Sequence, residues 1–125
     1  MNTFILLAML FLHILDDYRL QGILASMKQK KWWREQKDYK DLYKHDYLMA
    51  LVEHSFSWAF MIMLPIAFIM NFQLDDMFIT LFIINVFLHA QVDNEKANKF
   101  TINLWIDQLL HLVQIIVTWF LLVVV

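Results

Sequence analysis

The sequence predicts an all-α membrane protein, a bundle of four transmembrane helices forming a single integral membrane domain over residues 1–125. Three observations carry this. Sixty-one per cent of the 125 residues are hydrophobic and 16% are aromatic, too apolar for a soluble domain of this size. One glycine and one proline supply too few turn formers for a sheet. The apolar residues gather into four runs, each near or above the ~20 residues that cross a ~30 Å hydrocarbon core.

The first run predicts a helix at about residues 2–28. It lacks a basic leading segment, and Asp16-Asp17 follows it in place of a small-residue cleavage site, so it reads as a retained span and not a signal peptide. A basic loop, 29–45, comes next. Within it Lys31 to Tyr47 mixes acids and bases with Trp32, Trp33, Tyr39, Tyr43 and Tyr47, which fits an amphipathic segment lying in the headgroup layer between helices one and two. The second helix is expected at about 46–72 with a kink at Pro65, the third at 76–96 and the fourth at 101–125. The first and third reach spanning length only with their polar ends. Trp58-Ala59-Phe60-Met61 suits lipid or a partner helix.

Charge sets the orientation. Lys28, Lys30, Lys31, Arg34, Lys37, Lys40 and Lys44 fall between the first two helices, and Lys96 and Lys99 between the last two. The connection Asn71 to Asp76 has two acids and no base. The positive-inside rule then places both basic loops in the cytoplasm and both termini outside, in an inner or plasma membrane. The absence of cysteine excludes disulfides and thiol catalysis. The lone Gly22 excludes glycine-rich phosphate loops.

Two segments read almost alike: Phe11-Leu12-His13 with Asp17, and Phe87-Leu88-His89 with Asp93. A mirrored pair, Asp107 and His111, lies in the last run, and His54 in the second. Residues four apart share a helix face. Under the expected topology all seven sit at similar depth, where charge is costly and ionisable residues are functional by default. Facing helices of a bundle build metal centres from such inward-pointing groups.

The seven are therefore candidate ligands for one or two divalent ions, zinc first, then manganese or iron, with Asp17, Asp93 and Asp107 also candidate catalytic carboxylates. Seven exceed the four of a closed zinc site, so two ions share them or some orient the others. Tyr18, Gln21 and Gln108 are candidate hydrogen-bonding neighbours. Asp16 and Glu53 lie about 100° round the helix from the neighbouring ligand candidates and are weaker prospects as bases. Arg19, Lys28, Lys30, Lys31 and Arg34 are candidates for drawing an anionic substrate to the mouth of the site. His45, in Lys44-His45-Asp46, reads as solvated. Interspersed acids leave no sustained basic face for nucleic acid.

Other readings compete. The polar residues would fix the bundle as hydrogen-bond partners, at roughly 1 kcal/mol each. Bis-histidine haem needs only two histidines and leaves the carboxylates unexplained. An ion carrier needs a path through outer halves that offer only Thr80, Gln114 and Thr118. Aligning His13 with His89 and His54 with His111 points to two repeated helical hairpins.

The strings His13-Ile14-Leu15-Asp16-Asp17-Tyr18-Arg19-Leu20-Gln21, His89 to Asp93 with Lys96, and Asp107-Gln108-Leu109-Leu110-His111 resemble the motifs of small phage and bacterial membrane proteins grouped as domain of unknown function 3307. The resemblance spans nearly the whole chain. More distantly, the chain is similar to bacterial membrane-bound proteins labelled metal-dependent hydrolases. These resemblances imply a functional set of His13, Asp17, Gln21, His54, His89, Asp93, Asp107 and His111, and they supply no substrate. The expectation is a membrane-embedded metal-dependent hydrolase, its site near the cytoplasmic leaflet, acting on a phosphate-containing lipid or other anionic ester. The alternative is a non-enzymatic phage-type protein that binds a host component, the cluster being a structural metal or polar core. Four helices are few to shield such a site, which makes a homodimer a candidate assembly.

Overall fold

The computed structural model describes residues 1–36 and 41–125; Lys37, Tyr39 and Lys40 of the expected interfacial segment lie outside the described residues. The described chain is all-helical. Helix α1, Asn2–Leu15, buries Ile5, Met9 and His13, spaced four apart on one face. It runs on as a wider π turn, Asp16–Leu20, a form that concentrates at functional sites. Gly22 then takes a left-handed φ of +53°, open to glycine without a Cβ penalty. The helix expected over 2–28 therefore stops at Leu20. Two short helices follow, α2 (Leu24–Met27) and α3 (Lys30–Arg34), with a 3₁₀ turn at Asp41–Tyr43. The connection is thus folded turns in place of a helical extension.

Helix α4, Asp46–Ile69, runs without a break through Pro65. It ends where Asn71 and Phe72 adopt φ of 50° and 59°, and the Phe72 amide donates to the Ala67 carbonyl at 2.9 Å, closing the C-terminus as a Schellman-type cap. Helices α5 (Asp76–Asn94) and α6 (Leu104–Trp119) start alike. Asp75 accepts from the Phe78 amide and Asn103 from the Ile106 amide, each satisfying one orphan donor of a first turn. Helix α5 extends as a π turn over Glu95–Lys99 and α6 over Phe120–Val124. Both helices that carry a His-x-x-x-Asp motif thus widen into a five-residue π segment at the motif's end.

The helical stretches Asp41–Ile69, Asp76–Lys99 and Leu104–Val124 are long and apolar enough to cross a membrane. The fourth long helix, α1 with its π turn, carries Asp16, Asp17 and Arg19 in its last turns. The four pack as a ring in which α1 touches α4 and α6, and α5 touches α4 and α6. One end of the interior is apolar, built by Ile5, Met9, Ile62, Met63, Ile66, Phe78, Leu81 and Ile115 around Trp58. The other end is polar. Outside, large apolar side chains such as Phe4, Phe11, Phe60, Ile83, Phe87 and Val117 are exposed, which is the inverse of a water-soluble bundle. Trp58 does not join that outer face. It is fully buried while Phe60 is half exposed, because 100° per residue separates neighbours on one helix.

Candidate metal centre

The polar end holds the sequence motifs. His13, Asp17, His54, His89, Asp93, Asp107 and His111 are each at most 7% exposed, and α1, α4, α5 and α6 all contribute. Three groups bring their ligand atoms within 4.8 Å of one another: Asp17, His54 and His89; His89, Asp93 and His111; Asp17, Asp107 and His111. Each pair of groups shares one residue. His54 Nε2 lies 3.1 Å from His89 Nε2, 3.2 Å from Asp17 Oδ1 and 3.4 Å from Asp93 Oδ2. His89 Nε2 is 3.8 Å and 3.7 Å from the same two carboxylate atoms. Donors bonded at ~2.0–2.1 Å in tetrahedral geometry would stand about 3.4 Å apart, the spacing found here.

Asp17 and Asp107 are each held at one oxygen and turned inward at the other, and Asp93 faces imidazoles with both oxygens. Asp17 Oδ2 accepts from Gln108 Nε2 at 3.1 Å, and Oδ1 faces His54. Asp93 Oδ2 accepts from Lys28 Nζ at 2.6 Å, and Oδ1 faces His111 Nε2 at 3.4 Å. Asp107 Oδ2 accepts from Lys96 Nζ at 2.7 Å and from Gln108 at 3.0 Å, and Oδ1 faces His111 at 3.5 Å.

Hydrogen-bond partners fix two tautomers. Trp58 Nε1–H donates to His13 Nδ1 at 2.8 Å, so His13 carries its proton on Nε2 and donates it to Gln108 Oε1 at 3.1 Å. Both His13 nitrogens are thereby used, and His13 belongs to none of the three groups. Its contact orients Gln108, which in turn holds Asp17 and Asp107. On the far side, Asn85 Nδ2 donates to Thr118 Oγ1 at 2.8 Å, and Gln114 Nε2 donates to Asn85 Oδ1 at 3.3 Å. Gln114 Oε1 then accepts from His111 Nδ1 at 3.1 Å. His111 Nε2 is left facing two carboxylate oxygens.

Among the described residues several buried atoms lack partners: Asp16 Oδ2, His54 Nδ1, His89 Nδ1, Asp107 Oδ1 and Gln21 Oε1. Orphan groups of this kind cost about 1–3 kcal/mol each. Four buried carboxylates (Asp16, Asp17, Asp93, Asp107) stand among imidazoles, buried Lys28 and half-buried Lys96. Nitrogen and oxygen donors converging from three imidazoles and three carboxylates fit a divalent cation.

Asp16, set aside by helix angle, is fully buried and accepts from Ser57 Oγ at 2.7 Å. Its other oxygen stands 3.8 Å from His54 Nδ1, beyond hydrogen-bond reach but on the side from which a carboxylate would orient a ligating imidazole. Trp58 is the second residue sequence reasoning missed. Its ring stacks on His89 at 4.2 Å, and His89 stacks on His111 at 4.1 Å, so the indole floors the site against the apolar core. No motif marks Trp58, whose signal is its position one turn from His54, whereas Asp16 lies within the quoted string beside Asp17. Asn85 adds a buried polar group beside Gln114 and Thr118.

Among the other candidates, Gln21 Nε2 donates to the Asp17 backbone carbonyl, while Tyr18 is exposed. Lys28 is buried on Asp93, its charge engaged inside the cluster. Arg19 is exposed, Lys31 pairs with Glu35 at the surface, and Lys30 and Arg34 line a separate cavity. Glu53 and His45 are exposed.

An all-helical protein with three helices of membrane-spanning character and a buried cluster of histidines and aspartates is the class these features define. The chain matches the model of the family described as protein of unknown function (DUF3307) over residues 5–125, and it belongs to that family. Neither the curated proteins nor the solved structures contain a match.

Proposed function

We propose that the chain is a four-span membrane protein with a divalent metal centre at its cytoplasmic end, working as a hydrolase on a phosphate-containing lipid or other anionic ester. In this reading α1 is the fourth span, its acids turned into the ring and neutralised there. Both termini face outward and both basic loops face the cytoplasm. The observation that carries the reading is that Asp17, Asp93 and Asp107 are each held at one oxygen by an amide or ammonium and present the other to imidazole Nε2 atoms. Outer groups fix such carboxylates when the inner oxygens are ligands.

Asp17, His54, His89, Asp93, Asp107 and His111 would hold one or two ions, zinc being the first expectation. A bound ion would supply a Lewis acid and lower the pKa of a water. Asp107 Oδ1, without a hydrogen-bond partner among the described residues and 3.5 Å from His111 Nε2, would serve either as a ligand or, were the ion held by the other residues, as the base for such a water. A cavity of about 220 Å³ lined by Tyr18, Leu104, Trp105 and Gln108 adjoins the cluster through Gln108 and is the route for a substrate head.

The test is elemental mass spectrometry on protein purified in mild detergent without chelator, beside His89→Ala, followed by phosphoester turnover. Near-stoichiometric metal that disappears with His89, together with activity, is expected. Full metal in His89→Ala would sink the ligand assignment. The near-complete burial of the cluster favours a second reading, a structural centre in a protein that binds a host component. A folded, metal-free variant that retains the host phenotype would decide for it. The cysteine-free sequence permits single-cysteine labelling of the termini and loops to test the orientation.

A further inference from the structure

The loop end carries a second cluster with no residue in common with the metal centre. Lys30, Trp33, Arg34, Lys44, His45 and Tyr47 line a cavity of about 270 Å³. Three basic side chains and an imidazole line it, and among the described residues no carboxylate does. Among the described residues, the surface ion pairs engage Lys31 with Glu35 and Lys99 with Glu95, the buried one Lys28 and the half-buried one Lys96; none engages a cation of this cavity. Like charges brought together repel, so the arrangement is most stable around an anion.

The walls are built. The Lys30 backbone amide donates to Asn98 Oδ1 at 2.7 Å, and Lys30 Nζ lies 4.9 Å over the Tyr47 ring, a cation–π contact that holds the ammonium. Trp33 Nε1 donates to the Met27 carbonyl at 2.7 Å, and its ring stacks on Tyr43 at 6.3 Å. Tyr47 is buried. Aromatic rings beside converging bases are the makeup of sites at a headgroup layer.

We infer that this cavity binds an anionic phosphate headgroup, with Lys30, Arg34 and Lys44 on the phosphate and Trp33 and Tyr47 against the apolar part of the head. The inference rests on the membrane placement proposed above and is independent of the metal. Arg34 offers the forked donor that suits phosphate oxygens. The pocket is tied to the metal centre: Asn98 also donates to the Lys28 carbonyl at 2.9 Å, and Lys28 holds Asp93.

The experiment is native mass spectrometry of the delipidated chain in neutral detergent, titrated separately with phosphatidylglycerol, phosphatidylcholine and inorganic phosphate. Lys30→Gln/Arg34→Gln/Lys44→Gln is the main variant. Lys44→Gln alone, at an exposed position, is the variant that folds regardless. The wild type should prefer phosphatidylglycerol to phosphatidylcholine at least tenfold, the triple variant should lose the preference, and Lys44→Gln should weaken it about threefold. Inorganic phosphate that binds the wild type alone, and is lost with the triple change, assigns the same site to a free phosphate. Equal phosphatidylglycerol binding by the wild type and both variants, or no preference for the anionic lipid, overturns the inference. Resistance to alkaline extraction from membranes, measured in parallel, reports on the spanning reading separately.

Discussion

Lys28→Met tests whether the buried ion pair and the proposed metal share one carboxylate. Lys28 Nζ is 2.6 Å from Asp93 Oδ2, with side-chain exposures of 7% and 1%. Methionine keeps the aliphatic stem and removes the charge. At 2.6 Å and an effective dielectric of 20 the gross Coulomb attraction is about 6 kcal/mol, and stranding one partner of a buried pair costs about 3–5 kcal/mol. That full cost is expected in chelator. With a divalent ion ligated by Asp93, the ion supplies the missing positive charge, and the loss should fall to about 1 kcal/mol. The difference, at least about 2 kcal/mol, must reappear as tighter metal binding, about thirtyfold, because the two legs close one thermodynamic cycle. Unfolding by sodium dodecyl sulfate, followed through tryptophan fluorescence with and without metal, measures one leg; competition with a chromophoric chelator measures the other. Equal destabilisation in both conditions, with unchanged metal affinity, would refute the reasoning.

Asp16→Asn removes the carboxylate facing His54 Nδ1 while Ser57 keeps a partner; metal affinity should drop 10–100-fold, and the same chelator competition reads it. Trp58→Phe deletes the donor to His13 Nδ1 and should cost about 1–3 kcal/mol from the orphaned nitrogen, seen as a lower unfolding midpoint at unchanged helical circular dichroism. Gly22→Ala meets nothing within 4 Å, so its effect should be backbone strain alone, about 1–2 kcal/mol. The unfolding midpoint should fall while metal content stays intact.

Spacing made much of this visible in advance. A histidine and an aspartate four apart must share a helix face, so His89 with Asp93 and Asp107 with His111 meet as the pattern requires. The role of His13 was not visible. Its spacing to Asp17 matches that of His89 to Asp93, yet the indole of Trp58, 45 residues away, takes up its Nδ1 and Gln108 its Nε2. The end of α1 was hidden for another reason: Gly22 looks tolerable inside a long apolar run, and its left-handed φ is decided by the turns that follow. Lys28 was misleading because its place in a basic stretch gives no hint that its ammonium is buried on a carboxylate of α5. Asp16 was undervalued because the helix-wheel angle ignores α4, whose Ser57 and His54 stand beside it.

The ring of helices also ties the site to the order of synthesis. Gln108, which joins His13, Asp17 and Asp107, is made more than ninety residues after the first two of those partners. The seam between α1 and α6 is finished by Trp119 Nε1 donating to the Asn2 carbonyl at 2.9 Å. A nascent chain therefore carries Asp17 without its Gln108 donor, and His13 without its acceptor, until α6 emerges. Truncation anywhere before Gln108 yields a product that lacks one wall of the ring and the hub of the polar cluster together, which makes such fragments natural targets for degradation.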